Sequence, residues 1–404
     1  MPPKFQDPNA ALEKARQKAS KESNYSSSQT RTQLSELISN NTKASGVEEI
    51  KPCQWQLSVA EAIVLGLDVS VMIKCGAGKT LTFAMPLLLH EARNPGSDKI
   101  VVVVTPFVLG VDKCALLKSY GVRPVAIWEE GSYDEATSAI ASGEANVLLV
   151  SPEWIAEDDD FREWLAYPEI GPRVLYVVVD DAHMLTSSGP AFDESHTRLG
   201  EIRTTILSHP FPILATSAIL TLDMVKEVHE VMHMTEPTAV HFHLGNDRAN
   251  IYLSVMKMKT EDIDYGLILG LLFKAPVKSN KTRGALKRDF KKSIAFFDEV
   301  WEAEEMKEFI EEHHPELSPR VECFHWQRDP EESKRIMEEF KQGKIYVLLS
   351  AEGAATGCDV DDIELSLQVG MPSTIGEYTL RMGTAGRNMT MQAVSVMLVE
   401  KSYG

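Results

Sequence analysis

The stretch Val69-Ser-Val-Met-Ile-Lys-Cys-Gly-Ala-Gly-Lys-Thr80 decides the fold of this 404-residue chain. Its first half is apolar and β-branched, which predicts a buried strand. Its second half has the composition of a phosphate-binding loop, in which glycines let backbone amides turn toward a polyphosphate. The apolar stretch that follows, to about His90, predicts a helix whose positive N-terminal end faces the same anion.

We expect this loop to bind a nucleoside triphosphate through Gly76, Ala77, Gly78, Lys79 and Thr80. The Lys would reach the β- and γ-phosphates, and the Thr hydroxyl would face Mg²⁺. A glycine-rich turn without a ligand is the alternative, but the flanking strand and helix favour the phosphate loop.

A second chemical signal is the run Val177-Val-Val-Asp-Asp-Ala-His183, where a β-branched strand ends in two carboxylates. In doubly wound α/β folds, ligands bind at the carboxyl ends of the strands. We expect Asp180 to hold Mg²⁺, directly or through water, opposite Thr80, and Asp181 to orient or deprotonate an attacking water. Paired acids after a strand also cap helices, but the upstream phosphate loop favours the metal interpretation.

Composition limits the classes of protein to consider. The chain is 44% hydrophobic with a net charge of −18, which argues against a surface that attracts nucleic acid everywhere. The segment from Lys274 to Lys292 is the exception, with eight basic residues and one acid. It is either a solvated loop or a contact to a phosphate backbone. The short apolar runs and five scattered cysteines indicate an intracellular protein with no membrane association.

Alternating apolar and amphipathic stretches predict an α/β fold with parallel sheets wrapped by helices. We expect a polar, disordered tail over residues 1–47, an ATP-binding domain over 48–236, and a second α/β domain over 237–404. The predicted strands of the two domains are Val69–Ile73, Ile100–Thr105, Val125–Trp128, Val147–Val150, Val174–Val179 and Ile213–Ala215, then Ile251–Val255, Ser293–Phe297, Val321–Phe324, Ile345–Leu349, Leu365–Val369 and Ala393–Leu398.

The order and spacing of several motifs resemble superfamily 2 DEAD/DEAH-box helicases, and most closely the RecQ-type DNA helicases. Gln56 precedes Lys79 by the separation that these enzymes use between their adenine-reading Gln and the phosphate-loop Lys. The other motifs in the first half are Val104-Thr-Pro-Phe107, Leu148-Leu-Val-Ser-Pro-Glu153, Asp180-Asp-Ala-His183 in place of DEAH, Arg198-Leu-Gly-Glu-Ile-Arg203 and Leu214-Ala-Thr-Ser-Ala218.

The resemblance continues through the second half, so that it covers residues 47 to 404. The motifs there are Asp247-Arg-Ala-Asn-Ile251, Ile294-Ala-Phe-Phe297, the run from Ser350 to Asp359 with Gly357 and Asp359 retained, and Gly383-Thr-Ala-Gly-Arg387. Arg387 stands in the place of the family's arginine finger.

The resemblance implies two tandem RecA-like P-loop domains that bind ATP and Mg²⁺ between them. It implies 3′-to-5′ movement on single-stranded or forked DNA, nuclear location, and work in DNA repair or recombination. Protein partners are not indicated. The nucleotide would be held by Gln56, the phosphate loop, Gly357 and Asp359, and the DNA strand would be contacted by Thr105, Pro106, Ser151, Pro152 and Glu153.

The chain departs from the family pattern at positions close to the chemistry. Ile73 replaces a small residue, Asp181 replaces the catalytic Glu, and Leu380 and Thr384 replace a Gln and an Arg of the last motif. Ser188 stands where a DNA-sensing Trp is expected. An active DNA helicase is therefore one hypothesis, and a catalytically weakened relative that binds ATP and nucleic acid as a clamp or adaptor is the alternative. An RNA-directed helicase is a third.

Overall fold

The structure is a computed structural model that describes residues 7–127, 130–187, 193–259, 263–273, 291–325, 327–351 and 360–401. The chain divides into two compact units, residues 1–246 and 247–404, called here the N-terminal unit and the C-terminal unit. Each unit contains a parallel β-sheet whose strands are connected through helices. The expected α/β fold of two tandem domains is confirmed.

The described sheet of the N-terminal unit has the strand order β3-β4-β2-β5-β6-β1-β7. Its strands are β1 Asp68–Met72, β2 Ile100–Val104, β3 Pro124–Ile127, β4 Val147–Val150, β5 Val174–Asp180, β6 Ile213–Ser217 and β7 Ala239–His243. Every residue of β2 is buried, as expected for a parallel sheet covered on both faces. Six of these strands agree with the predicted ones to within a few residues. The seventh, β7, was not predicted, and its pairing with β1 moves the unit boundary from 236 to 246.

The described helices of this unit connect the strands and cover the sheet. They are α1 Pro8–Ser23, α2 Ser27–Ala44, α3 Gln54–Val64, α4 Leu81–Arg93, α5 Phe107–Ser119, α6 Glu130–Ser142, α7 Pro152–Glu157, α8 Asp159–Ala166 and α9 Leu222–Val231.

The prediction of a disordered tail over residues 1–47 is wrong for the described part of that segment, which forms α1 and α2. Asp7 and Ser26 cap the two helices with their side chains. Leu12, Leu34 and Ile38 are almost completely buried in the core of the N-terminal unit. The few apolar residues of this polar segment lie on the faces that meet the core, so little hydrophobic surface is enough to dock both helices.

A buried carboxylate ties these two helices to α3. Glu61 accepts bidentate hydrogen bonds from Arg16 at 3.0 and 2.6 Å, one from Arg31 at 3.0 Å and one from the Tyr25 hydroxyl at 2.9 Å. Burial opposes ionisation of Glu61, but these donors outweigh it and lower its pKa. The ionised carboxylate therefore connects three helices.

The described sheet of the C-terminal unit has the order β10-β11-β9-β12-β13-β8. Its strands are β8 Ile251–Lys257, β9 Ser293–Phe297, β10 Val321–Phe324, β11 Val347–Ala351, β12 Leu365–Val369 and β13 Ala393–Val399, and its helices are α10 Tyr265–Leu272, α11 Val300–His313, α12 Pro330–Lys341 and α13 Ile375–Met382. All six strands agree closely with the predicted ones. Most of the basic segment lies outside the described residues, as do Ser188, Gly357 and Asp359. No helix in the described ranges combines the length and apolarity needed to cross a bilayer.

Replacing Glu61 by Gln should destabilise the N-terminal unit by about 2–3 kcal/mol, because Arg16 and Arg31 then lose the charge that neutralises them. Urea unfolding of wild type and variant measures the difference, and limited proteolysis shows whether α1 and α2 are released first. The exposed Glu48→Gln provides the matched control. Equal stability of the two variants would contradict the role assigned to Glu61.

Two histidines that contact the Ser70 hydroxyl predict how stability depends on pH. The Ser70 hydroxyl lies 2.9 Å from His229 Nε2 and 3.0 Å from His241 Nδ1. Burial lowers the pKa of each histidine from 6.5 to about 4. Both are neutral when folded, whereas in the unfolded chain they bind protons below about pH 6.5.

The contribution of these two histidines to the free energy of unfolding should therefore be fully present above about pH 6.5. It should fall toward pH 4, with a slope of up to about 1.4 kcal/mol per pH unit for each histidine. His229→Gln should reduce this slope, measured by urea unfolding across the pH range. The exposed His313→Gln in the C-terminal unit should leave it unchanged. A slope that is the same in wild type and His229→Gln would exclude this linkage.

Candidate nucleotide site

The phosphate loop runs from the end of β1 to the start of α4. The Ile73 amide donates to the Ser217 carbonyl at 3.0 Å, and the Ile73 side chain is buried in the core. The large residue at this position therefore continues the strand. Gly76 and Gly78 have φ values of +74° and +83°, a backbone conformation that is found in anion-binding loops and that favours glycine.

Gln56 packs directly against this loop. Its Nε2 donates to the Gly78 carbonyl at 2.9 Å, and its Oε1 accepts from the Cys53 amide at 2.7 Å. A Cβ added at Gly78 would lie 2.8 Å from Gln56 Nε2. The structure thus places the Gln56 side chain against the phosphate loop.

Asp180 lies at the end of β5, where the sheet register places it beside Thr216 of β6. Thr216 Oγ1 donates to Asp180 Oδ1 at 2.6 Å, and the Asp181 amide donates to the same oxygen at 3.0 Å. The following residue, Ser217, places its Oγ 2.9 Å from His183 Nδ1. Burial lowers the pKa of His183, which favours the neutral ring.

Lys113 is a site residue that the sequence analysis missed. Its Nζ lies 2.5 Å from Asp180 Oδ2 and donates to Thr105 Oγ1 at 2.5 Å. Both residues of the ion pair are buried. Burial opposes ionisation of Asp180, but the charges of Lys113 and Lys79 outweigh it and hold its pKa below the ordinary value. The available signal was a Lys among the apolar residues of α5, a helix that also contains Lys118.

This ion pair bears on the expected metal ligands, Thr80 and Asp180. One oxygen of Asp180 accepts from Thr216 and Asp181, and the other from Lys113. A divalent cation that coordinated Oδ2 directly would lie beside the Lys113 ammonium group, so this arrangement disfavours direct coordination, whereas a contact through water displaces none of these partners. The described residues include no group of three or more His, Cys, Asp or Glu side chains that is suited to a metal ion.

Asp181 has a left-handed backbone, with φ 53° and ψ 42°. Asp and Asn adopt this conformation more readily than most other residues that have a Cβ. Its Oδ1 lies 4.0 Å from His183 Nδ1. The carboxylate is therefore held at the same edge of the sheet as Asp180, which is the placement that a hydrolytic base would need.

The expected strand-contacting residues differ in accessibility. Thr105 is fully buried, and Ser151 and Pro152 are buried at the start of α7. These three side chains are therefore almost inaccessible from the surface of the structure. Pro106 is partly exposed and Glu153 is exposed. His196 Nε2 lies 3.3 Å from Glu153 Oε1, and this hydrogen bond lowers the pKa of Glu153 to about 2.

The last motif of the C-terminal unit lies after α13 and is held from inside the unit. Arg248 donates to the backbone carbonyls of Gly383 and Ala385, at 3.1 and 3.0 Å, and to that of Gly386. Thr384 is fully buried and donates to the Arg381 carbonyl at 2.7 Å. Arg387 follows this loop and is partly buried.

Leu380 is buried as well, at 5% exposure. Because Thr384 is fully buried, the longer side chain of an Arg at this position would have to displace neighbouring groups. The departures at positions 380 and 384 are therefore accommodated by packing inside the unit.

Two family models match this chain. The DEAD/DEAH box helicase model matches residues 53–248, and the helicase conserved C-terminal domain model matches residues 278–389. The two matched ranges follow one another in the order of the two units.

Curated proteins similar to this chain are DNA helicases. The putative ATP-dependent DNA helicase Q1 of Caenorhabditis briggsae is 23% identical over 355 residues, which are 85% of this chain and 52% of the relative. The ATP-dependent DNA helicase Q5 of Mus musculus is 24% identical over 346 residues, 82% of this chain and 33% of the relative. The chain spans about half the length of such relatives, or less.

Solved structures share the fold at lower identity. The helicase Lhr of Mycobacterium smegmatis, bound to ssDNA and AMP-PNP, has a TM-score of 0.68 and 18% identity, covering 89% of this chain and 47% of that one. The DEAD-box helicase Mss116, bound to ssRNA and UDP-BeF, has a TM-score of 0.70 and 16% identity. The match covers 90% of this chain and 73% of that one.

Gly78→Ala should abolish binding of a fluorescent ATP analogue, because the new methyl group displaces Gln56 and distorts the phosphate loop. Gly96→Ala is a matched control, since Gly96 also has a φ of +83° but has open space around its Cβ position. Both variants should lose about 1 kcal/mol of stability from backbone strain. Fluorescence titration and thermal unfolding separate the two effects. Normal analogue binding by Gly78→Ala would contradict the placement of Gln56.

Proposed function

Because the chain belongs to the DEAD/DEAH box helicase family, we propose that it is an ATP-dependent DNA helicase or translocase of the RecQ type. The observation that carries this proposal is the arrangement in the N-terminal unit, where Gln56, the phosphate loop and Asp180 meet at one edge of the sheet. The names of the similar curated proteins support DNA as the nucleic acid.

In the proposed mechanism, the amides of Gly76, Ala77 and Gly78 bind the phosphates of ATP, and Lys79 neutralises the β- and γ-phosphates. Gln56 is already fixed beside the loop and would turn its amide toward the adenine. Hydrolysis requires a water aligned with the γ-phosphate, and we assign this alignment to Asp181.

Arg387 would stabilise the charge that develops on the transferred phosphoryl group. Gly357 and Asp359 remain proposed nucleotide contacts, outside the described residues. Thr80 and, through water, Asp180 are the residues that would hold Mg²⁺, and we assign no step to direct coordination by Asp180 because Lys113 lies against its Oδ2.

Movement on nucleic acid follows if hydrolysis alternately tightens and releases the grip on a strand. Pro106 and Glu153 are the accessible members of the expected contact set, and Thr105, Ser151 and Pro152 would contribute only through their backbone or by positioning. We propose single-stranded or forked DNA as the substrate, 3′-to-5′ polarity and nuclear location. The Arg198–Arg203 motif and the spacing from Gln56 to Lys79 favour DNA over RNA.

The test is hydrolysis of ATP with and without single-stranded DNA. Wild type should be stimulated by DNA, and Lys79→Ala should lower the rate at least about a hundredfold by removing phosphate charge stabilisation. Lys118→Ala, at an exposed position of α5, is the control and should stay close to wild type. Single-stranded RNA as a competitor distinguishes the two nucleic acids, and duplexes with a 3′ or a 5′ tail report polarity.

Each outcome of this test has a distinct meaning. DNA-independent hydrolysis at the Lys79→Ala rate would reject an active motor. If the ATP analogue still binds under those conditions, the protein is a clamp or adaptor. Stimulation by RNA alone would identify an RNA-directed helicase.

A further inference from the structure

A buried ammonium group lies against the carboxylate that would ordinarily face the metal of this site. Lys113 Nζ is 2.5 Å from Asp180 Oδ2. The side chains of Lys113 and Asp180 are only 11% and 5% exposed, so water does not screen the pair appreciably. The pair is part of the folded interior of the N-terminal unit.

The pair is held in place from both sides. Lys113 projects from α5 and also donates to Thr105 Oγ1, which is fully buried. Asp180 is fixed through its other oxygen by Thr216 and by the Asp181 amide. Separating the two charges would leave each buried without its partner, which costs several kcal/mol in proteins.

The ammonium group opposes direct coordination of a divalent cation by this oxygen. Mg²⁺ requires oxygen ligands at about 2.0–2.1 Å in near-octahedral geometry. An ammonium hydrogen-bonded to the same oxygen occupies part of that coordination space and repels the cation. Lys79 adds a second positive charge near Asp180 and likewise lowers its pKa. Asp180 is therefore already neutralised by side chains of the protein itself.

We propose that Lys113 is a built-in counter-ion that competes with divalent cations at Asp180 and so uncouples nucleotide binding from Mg²⁺. Triphosphate then binds to a site whose acidic group no longer repels it, whether or not a metal is present. This inference rests on the proposed binding of ATP by the phosphate loop. Lys113 is a positioning residue, since it acts through Asp180.

The experiment measures the Kd of a fluorescent ATP analogue for the full chain, in excess EDTA and in excess Mg²⁺. For wild type the two Kd values should agree within about threefold, which corresponds to under about 1 kcal/mol. For Lys113→Met, Asp180 is left without its counter-ion, so that it repels the triphosphate until a metal binds. Mg²⁺ should then tighten binding at least about tenfold.

Lys118→Met is the matched control, because Lys118 is on the same helix but exposed, and it should behave as wild type. Mg²⁺ also binds the triphosphate directly, and it does so equally for every variant. A difference in Mg²⁺ dependence between variants therefore reports the change at position 113. If Lys113→Met does not fold, Lys113→Gln, which retains hydrogen-bonding capacity, replaces it as the test variant.

A wild-type Kd that improves tenfold or more with Mg²⁺ would overturn the inference and leave the proposed function standing. An Mg²⁺ dependence that is the same in wild type and in the position 113 variants would also overturn it. If wild type binds no analogue in either condition, both the proposed function and the inference fail.

Discussion

The parallel register of β5, β6 and β1 is the constraint on which the nucleotide site depends. β6 lies between the other two strands, so Thr216 stands beside Asp180 and Ser217 stands beside Met72. The phosphate loop, the two aspartates and the Thr-Ser pair thus leave the sheet at one edge. Because side chains alternate between the faces of a strand, a shift of one residue would turn Thr216 away from Asp180.

Buried charges are neutralised locally in both units. Asp180 forms an ion pair with Lys113 and accepts a hydrogen bond from Thr216. Glu61 forms ion pairs with two arginines and accepts a hydrogen bond from a tyrosine. Arg248 donates to backbone carbonyls. A buried charge without such partners would cost several kcal/mol, so each group admits essentially one arrangement. These interactions fix where the first helices dock, how the acidic strand end is oriented, and how the loop before Arg387 is shaped.

The departures from the family pattern have different physical origins. Ile73 continues β1 into the core, and Leu380 and Thr384 fill space inside the C-terminal unit. These three residues are explained by packing. Asp181 suits the left-handed backbone at its position.

The sequence by itself determined the fold class, twelve of the described strands and the identity of the phosphate loop. Strand periodicity and glycine-rich loops are local properties, and they remain readable along the chain. Docking of α1 and α2, the position of β7, burial of Thr105 and the contact of Lys113 with Asp180 were decided only by the tertiary structure. Each of these depends on residues far apart in the chain, and a carboxylate's partners are set by what the fold brings within hydrogen-bonding distance, which no local pattern records.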